Sequence, residues 1–215
     1  MIHFIKDIEI KLSIHEVVKL LQKEGKNSKQ PSQKLLTEIS NLLTEAKQDI
    51  EPKAIYGIFS SEQFSPKYIF SPSEQTIFAI CTISDKLEKR ITQLLNSNEL
   101  AKGVIFDAIA SHAAEETAEE VNRRILLENK ELFHNKNYTR RFSPGYCLWE
   151  LSEGQKQIFD LLPGEKIGVQ LNSSMLMIPR KSVSFAINIG KKVNEELGQK
   201  ECSTCEEINC TYRRS

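Results

Sequence analysis

No glycine-rich phosphate loop, G-x-S-x-G elbow, H-E-x-x-H helix or EF-hand loop occurs in this sequence, and its four histidines are scattered at His3, His15, His112 and His134. The commonest nucleotide-binding, hydrolytic and metalloenzyme signatures are therefore missing. Net charge is missing as well, because 29 basic side chains balance 29 acidic ones. A neutral chain has no field to draw in a phosphate backbone or an anionic lipid surface, so neither nucleic acid nor membrane is an expected partner. No apolar run approaches membrane-spanning length, and the N-terminal MIHFIKDIEIKLSIHEVV breaks its apolar residues with charges where a signal peptide needs an unbroken stretch. A cytoplasmic location is expected. Five cysteines make an odd count, which argues against a disulfide framework.

What is present fits one globular core: 215 residues, 40% hydrophobic and 27% charged. Residues 1–12 alternate as a strand does, with a slip at Lys6-Asp7. A helix is expected over 14–22 behind Ser13. Pro31 suits the first turn of a second helix, whose face carries Leu35, Leu36, Ile39, Leu42, Leu43, Ala46 and Ile50. Segments 54–59, 68–70 and 76–83 read as antiparallel strands separated by Ser/Pro turns. Ser84-Asp85 then caps a helix bearing Leu87, Ile91, Leu94 and Leu95. The longest helical stretch covers about 100–129. Ser152 to Gln155 has the form of a capping box, and Ile158, Leu161 and Leu162 lie on the buried face of the helix it opens. A last strand is expected over 182–189. Residues 1–198 are expected to form one domain and 199–215 a cysteine-rich tail.

Two places concentrate chemistry. On the long helix, Ala108, Ser111, Glu115, Ala118 and Asn122 share a small, polar stripe beside an apolar stripe of Ala110, Ala114, Val121 and Ile125. A carboxylate among small residues can receive an ammonium group; equally, Glu115, Glu116, Glu119 and Glu120 can form a solvated acidic face. In the stretch from Thr139 to Leu162 no core period appears before Ile158, so its first half, TRRFSPGYCLWE, reads as a loop suited to holding something. In it, Arg141 offers a fork for a carboxylate, Gly145 a permissive backbone and Tyr146 a flat face with a hydroxyl, which fit an amino-acid-plus-aromatic ligand; a surface Pro-Gly turn is the plainer alternative.

These residues carry a resemblance. RRFSPGY, then FDLL, then IGVQLNSSMLMIPRKSVS, together with Ala114-Glu115 and Ala118-Glu119 in an A-E-x-x-A-E pattern, resemble the S-adenosylmethionine-binding activation domain of cobalamin-dependent methionine synthase, particularly its free-standing bacterial form. The resemblance covers the C-terminal half well and the N-terminal third only in general character. It implies an α+β fold, an antiparallel sheet with flanking helices, binding S-adenosylmethionine in a shallow groove. Arg141 and Tyr146 fall on the family's ligand-binding arginine and tyrosine, Glu115 on its helical carboxylate, and Phe142, Ser143 and Gly145 on the loop whose backbone lines the groove. The family's N-terminal aspartate is placed at Asp7. The implied function is that of a stand-alone reactivation subunit, a component of cobalamin-dependent methionine synthase that remethylates cob(II)alamin. A chain of this length cannot also hold the folate, homocysteine and cobalamin modules, so the cobalamin belongs to a separate partner, methionine synthase or another corrinoid protein. An electron donor such as flavodoxin or ferredoxin is implied too.

Cys202, Cys205 and Cys210 in the tail give three thiolates at a spacing usable by zinc or an iron–sulfur cluster, with Cys147 as a possible fourth ligand; free thiols in a terminal segment are the simpler alternative. A metal-binding redox or interaction protein built on that tail is accordingly the second functional reading.

Overall fold

The computed structural model describes residues 1–22, 30–146 and 149–193. Segments rich in β-branched and aromatic residues, Ile2–Ile5 (β1), Lys53–Ser60 (β2), Gln75–Thr82 (β3) and Ser182–Gly190 (β7), join Asn137–Tyr138 (β4) in a five-stranded antiparallel sheet ordered β1-β2-β3-β7-β4. A short hairpin of Gln170–Leu171 (β5) and Met177–Ile178 (β6) stands apart from it. Central strands β3 and β7 are buried on both faces, which explains their near-continuous apolar runs.

Alternation sorts the strand residues into two cores. Ile77, Ala79, Cys81, Phe185 and Ile187 face the helix Leu100–Glu128, where Ala118, Val121 and Ile125 meet them. Phe78, Ile80 and Ala186 face the other way, onto Phe142, Trp149, Ile158 and Leu162. Full burial of a side chain such as Phe78 contributes about 2–3 kcal/mol, so each face is a substantial stabilising layer.

The helices run in chain order Ile14–Leu21 (α1), Gln33–Ala46 (α2), Lys67–Phe70 (α3), Lys86–Asn96 (α4), Leu100–Glu128 (α5), Lys130–Phe133 (α6) and Leu151–Leu161 (α7). With 29 residues, α5 is about 44 Å long and serves both neighbourhoods. Its N-terminal half packs Phe106, Ile109 and Ala113 against Val17 of α1, Leu42 of α2, and Leu87 and Ile91 of α4. Its C-terminal half lies on the sheet. Burial on several sides is why its sequence shows adjoining apolar stripes instead of one.

Several sequence expectations shift. Residues 68–70 form the single helical turn α3, not a strand: Ile69 and Phe70 both donate N–H bonds to the Pro66 carbonyl, and their side chains are buried together. A three-residue apolar run has no period to separate the two states. The strand expected over 1–12 ends at Ile5, before Asp7 at φ 54°. Pro31 lies outside α2, whose cap is Ser32, its Oγ accepting the Leu35 N–H at 3.3 Å. Asp85 sits at the N-terminus of α4 without a side-chain cap bond and pairs with Lys89 at 2.6 Å. The capping box at Ser152 does not form. The Glu150 carboxylate caps α7 by accepting the Glu153 N–H at 3.1 Å, while Gln155 is buried and accepts a bond from the Ser184 hydroxyl at 3.0 Å.

Candidate functional site

An irregularity in the sheet sets the direction of Arg141. Tyr138 pairs with Ile189 and Phe142 with Ala186, so the edge segment holds three residues between these pairs where β7 holds two. The extra residue is a bulge, and a bulge re-aims the side chains beside it. Thr139 and Asn188 secure its near side, with the Thr139 N–H donating to the Asn188 carbonyl and the Asn188 N–H to Thr139 Oγ1, each at 3.0 Å. Asn188 itself is held by Thr76 and by the Ile69 carbonyl. The Phe142 ring then enters the core on the α7 side, and Arg141 crosses to the α5 side.

There Arg141 lies between two carboxylates. Its Nε donates to Glu119 Oε2 at 2.9 Å and its second terminal nitrogen to Glu115 Oε2 at 2.7 Å, with the guanidinium carbon 5.9 Å from the centre of the Phe185 ring. The arginine is only 8% exposed, against 36% for the Glu115 side chain and 63% for that of Glu119. Burial alone would weaken the guanidinium's hold on its proton; the two carboxylates outweigh that effect and raise its pKa. Glu116, next along the helix, shows the opposite balance, since burial and then the charges of Glu119, Glu16 and Glu115 push its carboxyl upward. Glu120 faces away from this group: bonds from Arg123 lead in lowering its pKa to about 2, and Arg124 adds to them.

Below Arg141 the chain turns tightly. Gly145 adopts φ +88°, a left-handed conformation that disfavours a side chain, and its N–H donates to the Trp149 carbonyl at 2.7 Å. The Tyr146 N–H donates to the Ser143 carbonyl at 3.1 Å, and Tyr146 is 62% exposed. The bend rests on α7 at Gly154, where an added Cβ would come within 2.7 Å of both Pro144 and Trp149. Trp149 is buried against Phe70, Phe78 and Phe142.

The structure thus brings Arg141 and Glu115 together, with Ser143, Gly145 and Tyr146 on the same bend. Phe142 plays another part: its ring is core, and its N–H and C=O are both bonded to Ala186, at 3.0 and 2.8 Å. Trp149 likewise fills the core, correcting the reading of the whole stretch as a holding loop. Ala108 and Ala118 are buried, so the small stripe of α5 is open only in part. The acidic face is not merely solvated either, because two of its members grip Arg141. The Asp7 carbonyl accepts from Arg124, whose guanidinium also bonds Glu120 on α5. An open cavity of about 440 Å³ lined by His3, Lys6, Tyr56, Arg124 and Glu128 adjoins this contact.

Sequence reasoning missed two participants. Glu119 bonds Arg141 as directly as Glu115 does, a role implicit in their i, i+4 spacing. Lys181, one residue before β7, bonds Asp107 Oδ1 and Ser111 Oγ, both at 2.8 Å, and ties the strand to α5 farther along the same stripe. Among the described residues no cluster of three or more His, Cys, Asp and Glu is arranged to hold a metal, and no helix is long and apolar enough to cross a membrane. Cys147, Cys202, Cys205 and Cys210 lie outside the described residues.

An antiparallel sheet with helices on both faces defines an α+β domain. The model of the family described as vitamin B12 dependent methionine synthase, activation domain, matches residues 72–195, and the chain belongs to that family. A solved structure, the crystal structure of the MetH reactivation domain bound to AdoHcy, shares the fold with a TM-score of 0.63. Identity to it is 14%, and the alignment covers 95% of this chain and 84% of that one, which brings the N-terminal third into the common fold. No curated protein matches the chain.

Proposed function

We propose that the chain binds S-adenosylmethionine between α5 and the Arg141 bend and acts as a separate reactivation subunit for a cobalamin-carrying methionine synthase. The observation that carries this reading is the meeting of Arg141 with Glu115 and Glu119, in a member of the activation-domain family. The ligand's amino-acid end bears a carboxylate for the arginine fork and an ammonium for Glu115. Its sulfonium is a further cation that suits the carboxylate-rich helix, and exposed Tyr146 offers a flat face to the adenine or the sulfonium. The partner's cobalamin supplies the methyl-accepting cobalt: one electron from a donor such as flavodoxin or ferredoxin and the methyl group of S-adenosylmethionine restore its methylated form, leaving S-adenosylhomocysteine. This chain's share is to bind and orient the donor.

The test mixes the full chain with oxidised, cobalamin-loaded methionine synthase that lacks an activation domain of its own, a reduced flavodoxin, and S-adenosylmethionine labelled in its methyl group. Label is expected on the cobalamin only when all four are present. Transfer to another corrinoid protein but not to methionine synthase moves the client, and transfer to neither refutes the reactivation role.

A further inference from the structure

We propose that Glu119 is a built-in competitor for the ligand's carboxylate: it holds Arg141 when the site is empty and must leave when S-adenosylmethionine or S-adenosylhomocysteine binds. This rests on the ligand assignment above.

The argument begins with the buried guanidinium. A charge this far out of water is costly unless a carboxylate accompanies it, and here two do, one on Nε and one on a terminal nitrogen. A ligand carboxylate arriving at the same fork would place three anions around one cation. One carboxylate has to withdraw. Glu115 is the more enclosed of the two, and its departure would leave the ligand's ammonium without a partner. Glu119 is the more exposed, so water can solvate it at once when it swings off the helix surface. The exchange replaces one carboxylate by another on Arg141 Nε, conserving the charge balance at the guanidinium.

Two consequences distinguish a competitor from a ligand. Removing Glu119 strengthens binding instead of weakening it. The gain also requires a carboxylate on the ligand, since a molecule without one does not contest the fork.

The experiment titrates full-length wild type, Glu119→Ala and Glu119→Gln with S-adenosylhomocysteine and with decarboxylated S-adenosylmethionine, with a thermal melt of each protein to show that it is folded. For S-adenosylhomocysteine the variants are expected to bind about fivefold tighter than wild type, the factor set by freeing a mostly exposed pair. For the decarboxylated ligand no gain is expected. Unchanged or weaker binding of S-adenosylhomocysteine by the variants, or an equal gain for both ligands, overturns the proposal. If wild type and variants alike bind neither molecule, the ligand assignment itself has failed and takes this proposal with it.

Discussion

Gly154→Ala probes the support of the binding bend without touching any residue placed at the ligand. Gly154 lies in the first turn of α7, and the added methyl would stand 2.7 Å from Pro144 Cβ and from Trp149 Cε2. Two effects oppose each other. Alanine is the better helix former by up to about 1 kcal/mol. Forcing a methyl into a packed contact costs about 1–3 kcal/mol, and here the neighbours are a proline ring and a buried indole, neither of which can swing aside as a flexible chain end would. The clash wins, for a net loss of about 1–2 kcal/mol. Because Pro144 follows Arg141 closely, the shift that relieves the clash also moves the fork, and affinity for S-adenosylmethionine should fall about tenfold. Urea unfolding followed by the fluorescence of Trp149, the only tryptophan, reads stability at the contact itself. Calorimetry reads binding, with Lys156→Ala on the exposed side of the same helix as the control. A Gly154→Ala protein stabilised by the full helix-propensity gain, with wild-type affinity, would refute the claim that the bend is wedged against α7.

Two further outcomes concern buried titrating groups. His112 Nε2 accepts the Ser13 N–H at 3.0 Å, joining α1 to α5, and burial lowers its pKa while Glu16 opposes. The unfolded chain therefore takes up a proton below its ordinary value of 6.5 before the folded chain does, so this contribution to stability is complete above 6.5 and declines as pH falls. Protection of the α1 amides, corrected for intrinsic exchange, should fall as pH drops below 6.5 and lose that dependence in His112→Gln; equal slopes in the two proteins would contradict the assignment. Burial pushes the Cys81 thiol up to about 12, so it should escape alkylation in the native protein and react in denaturant. Peptide mapping that finds native labelling at Cys81 would show that the α5 face of the sheet opens.

Much of this arrangement was legible in the residues. Period-two and helical patterns placed β2, β3, β7 and α5, since each is long enough for burial to stamp a repeat on it. Arg141 and Glu115 stood out because their types suit a zwitterionic ligand. Their meeting was not legible, because it depends on the bulge between Tyr138 and Phe142, and an inserted residue leaves no mark in composition. Glu119 looked like a solvated acid for the same reason: its partner arrives from a strand edge distant in sequence. The inward turn of Trp149 was not legible, because an aperiodic aromatic does not reveal which way it faces. The Ser152–Gln155 pattern misled because Glu150 reached the helix end first and Ser184 claimed Gln155. Tyr68 to Phe70 show the limit of a short run, where backbone state is decided by what lies on either side.

The central claim is that the Arg141 fork receives the carboxylate of S-adenosylmethionine. Calorimetric titration of wild type and Arg141→Met, which keeps an apolar stem near Phe185 while deleting the charge, tests it most directly. The account predicts saturable binding by wild type and at least about tenfold weaker binding by the folded variant, the loss of a charge-assisted pair. Equal affinity in the two proteins would contradict it.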